Sequence, residues 1–285
     1  MTDDIGLFRY NTPPAFCDHA LDLGEEYYRQ AGVSRLHRHD RLDLDLVQAG
    51  ELVFIKTDAL PFFRQALPKL KVPITLVTGV SDISPVDFES MLDDERIISW
   101  SGQNLPLWSD KVLQLPCGFT ERERDYGNQD TILAAAGGMP WEERPIDILI
   151  TAMADTAPER RELAIKGAFV SRERLRYPDY LALMGRAKFV VCPRGNGPDT
   201  IRLWEALSVG AVPIVRSGIL DPLYRRYGAE IVDDWTEVPD VPNRIGSSGR
   251  TVREQAVRCF TERSGLFFAH YWREQVMNHH ASRME

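Results

Sequence analysis

Short apolar runs alternate with segments of helical periodicity from residue 52 to residue 232, and this pattern predicts the secondary structure. We predict strands over residues 52–55, 74–77, 97–100 and 112–115, then over 146–150, 189–192, 211–215 and 230–232. We predict helices over residues 60–70, 86–92, 159–168, 179–187, 199–209 and 220–227. Strand and helix in alternation are typical of parallel sheets with crossover helices, so the pattern predicts an α/β fold.

The ends of the pattern are less regular. Residues 16–30 have apolar positions that fit an amphipathic helix, and residues 252–276 fit one long helix or two helices broken near Gly265. Residues 117–139 are mainly polar or small, as is typical of connecting segments. We therefore place a domain junction just after them, near residues 141–145. The predicted domains are therefore residues 1–140 and 141–249, with a C-terminal helical segment over residues 250–285.

In open parallel sheets, ligands bind beyond the carboxyl ends of the strands. Asp58 and Asp82 each follow a predicted strand, so both are candidates for a catalytic base, with Asp82 preferred. Each has a structural alternative, because Asp58 could cap the helix that begins at residue 60 and Asp82 could form a turn before Pro85. Residues at neighbouring turns could contact a ligand, although a turn role explains them at least as well: Thr78, Gly79 and Asn104.

The stretch 189–215 combines a strand, a loop rich in Gly and Pro, and a helix that Asp199 or Thr200 could cap. A loop that ends at a helix N-terminus favours phosphate, because free N–H groups and the helix dipole point at it. Gly195 and Gly197 allow close approach of backbone to a ligand, and Arg194 can fork two phosphate oxygens. This pattern predicts a diphosphate-binding loop.

Asp199, Arg202 and Glu205 follow one another at three-residue spacing, so they share one face of the predicted helix. The carboxylate of Glu205 could accept hydrogen bonds from a ribose diol while the helix start holds the diphosphate. The alternative is an ordinary solvated ion pair between Arg202 and Glu205.

The sequence CPRGNGPDTIRLWEALSVGAVPIV, which begins at Cys192, resembles the nucleotide-sugar segment of exostosin-like glycosyltransferases. More distantly it is similar to the corresponding segment of GT-B enzymes in general, and weaker similarity lies in residues 76–82 and 111–118. In that family the glutamate binds the donor ribose and the loop before it binds the diphosphate. The resemblance therefore implies a donor site that consists of Arg194, Gly195, Asn196, Gly197, Asp199, Thr200, Arg202 and Glu205.

The resemblance also implies a GT-B-like fold, with two Rossmann-like domains that face each other across a cleft and a C-terminal helix that returns to the first domain. Retaining GT-B enzymes usually carry another glutamate eight residues earlier, where this chain has Gly197. This departure predicts an inverting mechanism, and without a convincing metal site we expect a metal-independent glycosyltransferase without a cofactor. In such an enzyme Thr78, Gly79 and Asn104 would lie on the acceptor or sugar side. Its partners would be a nucleoside-diphosphate sugar as donor and a glycan or glycolipid as acceptor, in polysaccharide or surface-glycan biosynthesis.

Bulk composition restricts the function classes. The 285 residues are 44% hydrophobic and 27% charged, as in soluble globular proteins, and the net charge of −8 gives no general attraction to nucleic acid or to an anionic membrane. The arginines at positions 160–161 and 172–176 are interpreted as solvated faces. Four scattered cysteines and the lack of a signal sequence or membrane span predict a cytoplasmic protein.

Two short motifs invite a metal-binding interpretation. His37 and His39 precede Asp40, but two histidines without further ligands are typical of polar surface, so we predict no metal there. Asp43 and Asp45 have the Asp-x-Asp form of metal-dependent GT-A transferases, although leucines alternate with them as on a solvated face.

Two other classes of function stay open at this point. A nucleotide-sugar epimerase or hydrolase of similar architecture would release inverted or free sugar without an acceptor. A non-catalytic nucleotide-sugar or glycan-binding module would bind its ligand without turnover. The oligomeric state has no signature in the sequence.

Overall fold

The computed structural model describes residues 6–22, 36–38, 43–122, 124–161 and 163–284. The chain divides into two compact units, each assembled from two parts of the sequence. The first unit comprises Tyr10–Pro116 with Ala269–Glu285, and the second comprises Met1–Arg9 with Cys117–Phe268. No helix within the described ranges is both long enough and apolar enough to span a membrane.

The first unit contains a parallel six-stranded sheet with the order β2-β1-β3-β4-β5-β6. Its strands are β1 (His19–Asp22), β2 (Leu36–Arg38), β3 (Leu52–Lys56), β4 (Ile74–Gly79), β5 (Ile97–Gln103) and β6 (Val112–Leu115). Every residue of β4 is buried, and its sequence accordingly contains no charged residue. Helix α1 (Leu60–Ala66) buries Leu60 and Phe63 against the same core.

The second unit contains a parallel five-stranded sheet with the order β11-β10-β9-β7-β8. Its strands are β7 (Ile146–Ile150), β8 (Phe169–Val170), β9 (Ala187–Val191), β10 (Val212–Arg216) and β11 (Glu230–Val232). Its helices are α2 (Gln129–Ala135), α3 (Pro158–Arg161), α4 (Tyr177–Met184), α5 (Ile201–Ser208), α6 (Asp221–Arg226), α7 (Val241–Ile245) and α8 (Arg250–Glu262). Two parallel α/β units confirm the predicted fold class.

The last helix, α9 (Ala269–Met284), packs on β5 and β6 of the first unit, as predicted for a C-terminal helix that returns there. Nδ1 of His280 lies 2.6 Å from Oγ1 of Thr75, and Arg283 pairs with Asp110 at 2.7 Å. The break between α8 and α9 includes Gly265, whose φ of +86° is in the left-handed region. The C-terminal segment is thus two helices rather than one.

The division between the units comes earlier than the predicted junction at residues 141–145. Cys117 donates its backbone N–H to Asp199 at 2.7 Å, so the chain already belongs to the second unit there. Further along, the buried Arg144 donates hydrogen bonds to four carbonyl oxygens of that unit, those of Gly137, Met139, Ala187 and Val209. Helix α8 packs against α5, which places residues 250–268 in the second unit as well.

Three predicted helices differ from the structure. Residues 19–22 form strand β1 and not helix, because this segment pairs with β3 and buries Ala20 and Leu21; residues 23–30 lie outside the described part of the chain. The predicted helix 159–168 is reduced to α3 over Pro158–Arg161, and Gly167 has a φ of +82°. The predicted helix 86–92 is a 3-10 helix over Val86–Asp93.

Candidate functional site in the second unit

Strand β9 leads through a loop into α5, as the sequence pattern predicts. The helix is buried on most sides, since Leu203, Trp204 and Leu207 are at most 2% exposed. Packing of these side chains fixes the direction of α5 and hence the position of its first turn. That turn lies at the carboxyl end of the sheet, where parallel α/β folds bind ligands.

Asp199 is a structural anchor immediately before α5. Its buried carboxylate accepts hydrogen bonds from the backbone N–H groups of Cys117 and Thr200, from Trp204 Nε1 and from the Tyr224 hydroxyl, at 2.7 to 3.1 Å. Burial raises the pKa of Asp199, and these hydrogen bonds oppose the rise. Thr200 is the N-cap residue but makes no side-chain cap hydrogen bond. The side chain of Asp199 therefore holds the helix start in place.

A cavity of about 570 Å³ lies entirely within the second unit, between three chain segments. The first segment follows β7, the second follows β8 and continues into α4, and the third is the beginning of α5. In the sheet, β7 lies between β8 and β9. The residues that line it from these segments are Thr151, Ala152, Met153, Ala154, Arg160, Ser171, Arg172, Glu173, Arg174, Leu175, Tyr180, Thr200, Ile201, Arg202 and Glu205. Thr120, Arg124 and Tyr126 complete the wall.

The cavity is strongly basic. Five arginines line it, namely Arg124, Arg160, Arg172, Arg174 and Arg202, against the two carboxylates Glu173 and Glu205. In a chain of net charge −8 this is a local reversal of sign, and a concave site lined by one charge attracts ligands of the opposite charge. The cavity can therefore hold an anion with more than one charge.

Arg202 has spare hydrogen-bonding capacity at this cavity. Its Nη2 donates to the carbonyl oxygen of Ala152 at 3.0 Å, and its guanidinium lies 5.8 Å from the ring centre of Tyr180. Nε and Nη1 are buried and have no hydrogen-bond partner among the residues that the structure describes. Buried N–H groups are costly when unpaired, so an anionic acceptor beside Arg202 would be stabilising.

Glu205 lies one helical turn after Arg202 and lines the same cavity, although it is only 4% exposed. Its Oε2 accepts a hydrogen bond from the Tyr180 hydroxyl at 3.0 Å. Burial raises the pKa of Glu205, while the nearby Arg202 and the hydrogen bond from Tyr180 lower it. A buried carboxylate at the wall of a basic cavity can accept hydrogen bonds from the hydroxyls of a bound molecule.

The loop before α5 is held from the side by the first turn of α3. Glu159 accepts the N–H of Arg194 at 2.9 Å, and Arg160 donates to the carbonyl oxygens of Arg194 and Pro193 at 2.7 and 3.1 Å. A Cβ at Gly195 would lie 3.2 Å from Nη2 of Arg160, so glycine suits this close contact. Burial and the nearby Arg202 lower the pKa of Arg160.

The predicted donor residues are divided between two cavities. Thr200, Arg202 and Glu205 line the larger one, whereas Arg194 lines a cavity of about 270 Å³ together with Arg216 and Tyr224. Other members of the predicted set line neither cavity: Gly195 packs against Arg160, Asn196 is exposed, and Gly197 and Asp199 are buried.

The sequence interpretation missed the arginines of the larger cavity. Arg172 and Arg174 are exposed but line its wall, and Arg160 lines it too, whereas Arg161 pairs with Asp155 and Arg176 with Asp179. Their position in the sequence could have indicated this role, because they follow the predicted strand β7 or strand β8 and so lie at the carboxyl edge of the sheet.

The two candidate bases lie in the first unit, just after its neighbouring strands β3 and β4. Both Asp58 and Asp82 are exposed, and Asp58 lies 3.7 Å from Nζ of Lys56. Asp58 does not cap α1, whose N-cap is Ala59 without a side-chain hydrogen bond. The role of both carboxylates as a base stays a prediction.

The three other predicted residues of the first unit have structural contacts. Thr78 is fully buried, and its Oγ1 accepts a hydrogen bond from Trp100 Nε1 at 2.9 Å. A Cβ at Gly79 would lie 2.5 Å from Oε1 of Gln103. Asn104 has a φ of +55°, is 2% exposed and donates from Nδ2 to the carbonyl oxygen of Ser81 at 3.0 Å. Thr78 and Gly79 thus lie in β4 and not in a turn, whereas Asn104 lies in the turn after β5.

The two motifs considered for metal binding differ in how far the structure describes them. Asp43 accepts the N–H of Asp45 at the start of a 3-10 helix, and the exposed Asp45 pairs with Lys71 at 2.7 Å. His39 and Asp40 lie outside the described residues. Within the described ranges, no three His, Cys, Asp or Glu side chains form a group that could hold a metal ion.

Comparison with known proteins gives a distant structural similarity. No protein-family model matches the chain, and neither does any curated protein sequence. Among solved structures, an α,α-trehalose-phosphate synthase (UDP-forming) from Burkholderia vietnamiensis superimposes with a TM-score of 0.46 and 11% sequence identity. The match covers 92% of this chain and 78% of that chain.

Proposed function

We propose that this chain is a glycosyltransferase that uses a nucleoside-diphosphate sugar as donor. The main support for the proposal is the basic cavity of about 570 Å³, where Arg202 and Glu205 lie one turn apart on the helix that opens onto it. The acceptor is the hydroxyl group of a glycan or glycoconjugate, in polysaccharide or surface-glycan biosynthesis. A nucleoside-diphosphate sugar contains an anionic diphosphate and a ribose diol. The arginines of the cavity suit the diphosphate, and the buried carboxylate of Glu205 suits the diol.

In the proposed complex the diphosphate lies against the start of α5. The first turn of a helix presents N–H groups and a positive dipole end, and Arg202 adds a fixed charge there. Arg160, Arg172 and Arg174 contribute further positive charge to the same wall. Arginine suits this role because its planar fork donates two parallel hydrogen bonds to phosphate oxygens.

The ribose lies against Glu205, whose carboxylate accepts hydrogen bonds from the 2′ and 3′ hydroxyls. Because Glu205 is nearly inaccessible to water, a hydrogen bond made there is stronger than one at an exposed carboxylate. Desolvation disfavours the charged form of Glu205, and Arg202 opposes this effect by favouring the carboxylate.

We further propose that transfer is metal-independent and inverts the anomeric centre. The arginines of the cavity would stabilise the charge that develops on the leaving diphosphate, a role that metal ions take in other transferases. Asp82 would remove the proton from the acceptor hydroxyl, with Asp58 as the alternative base. Two observations support this pair: both carboxylates are exposed, and both follow neighbouring strands of the first sheet.

The test is titration calorimetry of the purified chain with UDP, GDP, ADP, CDP and dTDP, each with and without EDTA. We expect one of the four ribonucleotides to bind most tightly, with unchanged affinity in EDTA, and dTDP to bind more weakly because it lacks the 2′ hydroxyl. Glu205→Ala should weaken this binding by roughly 10- to 100-fold, since a hydrogen bond to a charged group contributes about 1.5–3 kcal/mol. Arg225→Ala is the control, because Arg225 is exposed and pairs with Asp221 outside the cavity.

The reaction itself is tested with the sugar of the nucleotide that binds and a panel of oligosaccharide acceptors. Release of the nucleoside diphosphate with formation of an inverted glycosidic bond, measured by proton NMR, is the expected result. Free sugar without an acceptor would indicate a hydrolase or an epimerase instead. Binding without turnover would indicate a non-catalytic nucleotide-sugar or glycan-binding module.

A further inference from the structure

A buried tyrosine is hydrogen-bonded to the candidate ribose ligand. The hydroxyl of Tyr180 on α4 donates to Oε2 of Glu205 on α5 at 3.0 Å, and the two residues are 8% and 4% exposed. The two residues line the same cavity. The contact therefore joins two helices at the point where a ligand would meet the carboxylate.

The ring of Tyr180 is itself fixed by its neighbours. Tyr177 stacks on it with a centroid distance of 6.2 Å and an interplanar angle of 21°. The guanidinium of Arg202 lies near the ring at 5.8 Å from its centre. A hydroxyl on a ring that is held in this way has little freedom, so its hydrogen bond fixes the orientation of Glu205.

Orientation matters because a carboxylate at the end of a glutamate side chain can otherwise rotate. An ionised carboxylate accepts about four hydrogen bonds, so one from Tyr180 leaves acceptor sites for a diol. Burial raises the pKa of Glu205, and the charge of Arg202, the hydrogen bond from Tyr180 and the nearby Tyr177 hydroxyl all lower it and so favour the ionised form. A preorganised acceptor binds without a cost for ordering its side chain.

We propose that Tyr180 is a positioning residue for ribose recognition: it fixes the Glu205 carboxylate so that the cavity selects nucleoside diphosphates with free 2′ and 3′ hydroxyls. This inference rests on the proposed function, because it takes the cavity as the nucleotide site. Tyr180 acts through Glu205 and does not itself contact the reacting atoms.

The experiment measures hydroxyl selectivity and not affinity alone. UDP, GDP, ADP and CDP are each titrated against the wild-type chain together with their 2′,3′-dideoxy counterparts, and the ratio of the two Kd values defines the selectivity. We expect the ribonucleotide that binds best to bind at least about tenfold tighter than its dideoxy form. Tyr180→Phe should lower this ratio by roughly threefold to tenfold, the range that a net hydrogen bond of about 0.5–1.5 kcal/mol gives.

The control is Tyr224→Phe, which removes the hydroxyl of another buried tyrosine that donates a hydrogen bond to a carboxylate. Tyr224 donates to Oδ1 of Asp199 at 3.0 Å, and neither residue lines the larger cavity. Both variants lose a buried hydrogen bond, so both should be less stable, but Tyr224→Phe should keep the wild-type selectivity. Tyr180→Met is a second variant, should the first fail to fold, since methionine fills irregular space without a hydroxyl.

A double-mutant cycle tests whether Tyr180 acts through Glu205. In the Glu205→Ala background, Tyr180→Phe should have no further effect on selectivity. Unchanged selectivity in both Tyr180 variants, or an equal loss in Tyr224→Phe, would overturn the inference and leave the proposed function standing. A wild-type ratio near one would overturn the ribose assignment of Glu205 and this inference with it, so the two failures are distinguishable.

Discussion

Arg160 and Arg194 are joined by a hydrogen bond of 2.7 Å from the Nε of the first to the carbonyl oxygen of the second. The contact fastens the loop before α5 to the segment after β7, and both segments border the larger cavity. A second bond from Nη2 to the carbonyl oxygen of Pro193 makes the attachment bidentate. Arg160 therefore has two functions, as a cation of the cavity wall and as a support for the loop.

We predict that Arg160→Lys weakens nucleoside-diphosphate binding by about tenfold although it keeps the charge. A lysine ammonium cannot reproduce two forked hydrogen bonds to adjacent carbonyl oxygens, so the loop loses its support. The measurements are titration calorimetry and thermal unfolding. Arg161→Lys is the matched control, because Arg161 pairs with the exposed Asp155. Equal affinity of Arg160→Lys and the wild type would show that charge alone matters at this position.

We predict that Arg202→Ala reduces nucleotide affinity by roughly 10- to 100-fold, as expected for a lost charge-assisted hydrogen bond of about 1.5–3 kcal/mol. The loss of stability should be smaller than the loss of binding free energy. Among the described residues the side chain makes one hydrogen bond, to the carbonyl oxygen of Ala152, and its charge favours the buried Glu205 carboxylate. Calorimetry measures the affinity and urea unfolding measures the stability. Parallel losses of both would identify Arg202 as structural.

We predict that Asp82→Asn abolishes sugar transfer and leaves nucleotide affinity unchanged. The amide cannot take up the proton of the acceptor hydroxyl as a carboxylate does, whereas the proposed nucleotide site lies in the other unit. The measurement is turnover of the donor that the binding screen identifies, compared with Asp58→Asn. Retained turnover in Asp82→Asn with loss in Asp58→Asn would move the base to Asp58, and retained turnover in both would remove both assignments.

We predict that the packing of α9 on the first sheet weakens in acid. Burial lowers the pKa of His280 from its ordinary 6.5, and His279 lowers it further, while Asp18 opposes the shift. The folded state thus favours the neutral imidazole beside Thr75. This contribution to stability is present above pH 6.5 and is lost as the pH falls through the lowered pKa.

The measurement for His280 is urea unfolding between pH 5 and pH 8. The wild type should lose stability across this window on the acid side, and His280→Asn should show a smaller slope. The difference between the two proteins isolates His280 from the other titrating groups. Identical slopes would contradict the assignment.

The strands were predictable because buried parallel strands are continuous apolar runs, and β4, β7 and β9 all lie where the runs predict them. Helix α5 was predictable from its apolar spacing and from the Gly-rich loop before it. The segment at β1 was not, since its apolar positions fit a helix and only the pairing with β3 makes it a strand.

The composition of the cavity could not be predicted from local patterns. Arg172 and Arg174 resemble a solvated basic run, and only the position of β7 between β8 and β9 brings them to the same cavity as Arg202. Asp199 resembles a ligand or a cap, but its distant partners Cys117 and Tyr224 make it an anchor. Contacts between residues far apart in the chain decide both outcomes.

The position of the donor site can be observed in a crystal structure of the chain with the nucleoside diphosphate that binds best. We expect the phosphates to lie within hydrogen-bond distance of Arg202 at the start of α5, and the ribose hydroxyls to lie within hydrogen-bond distance of Glu205. A nucleotide bound elsewhere, with the cavity at Arg202 and Glu205 unoccupied, would show that this cavity is not the donor site.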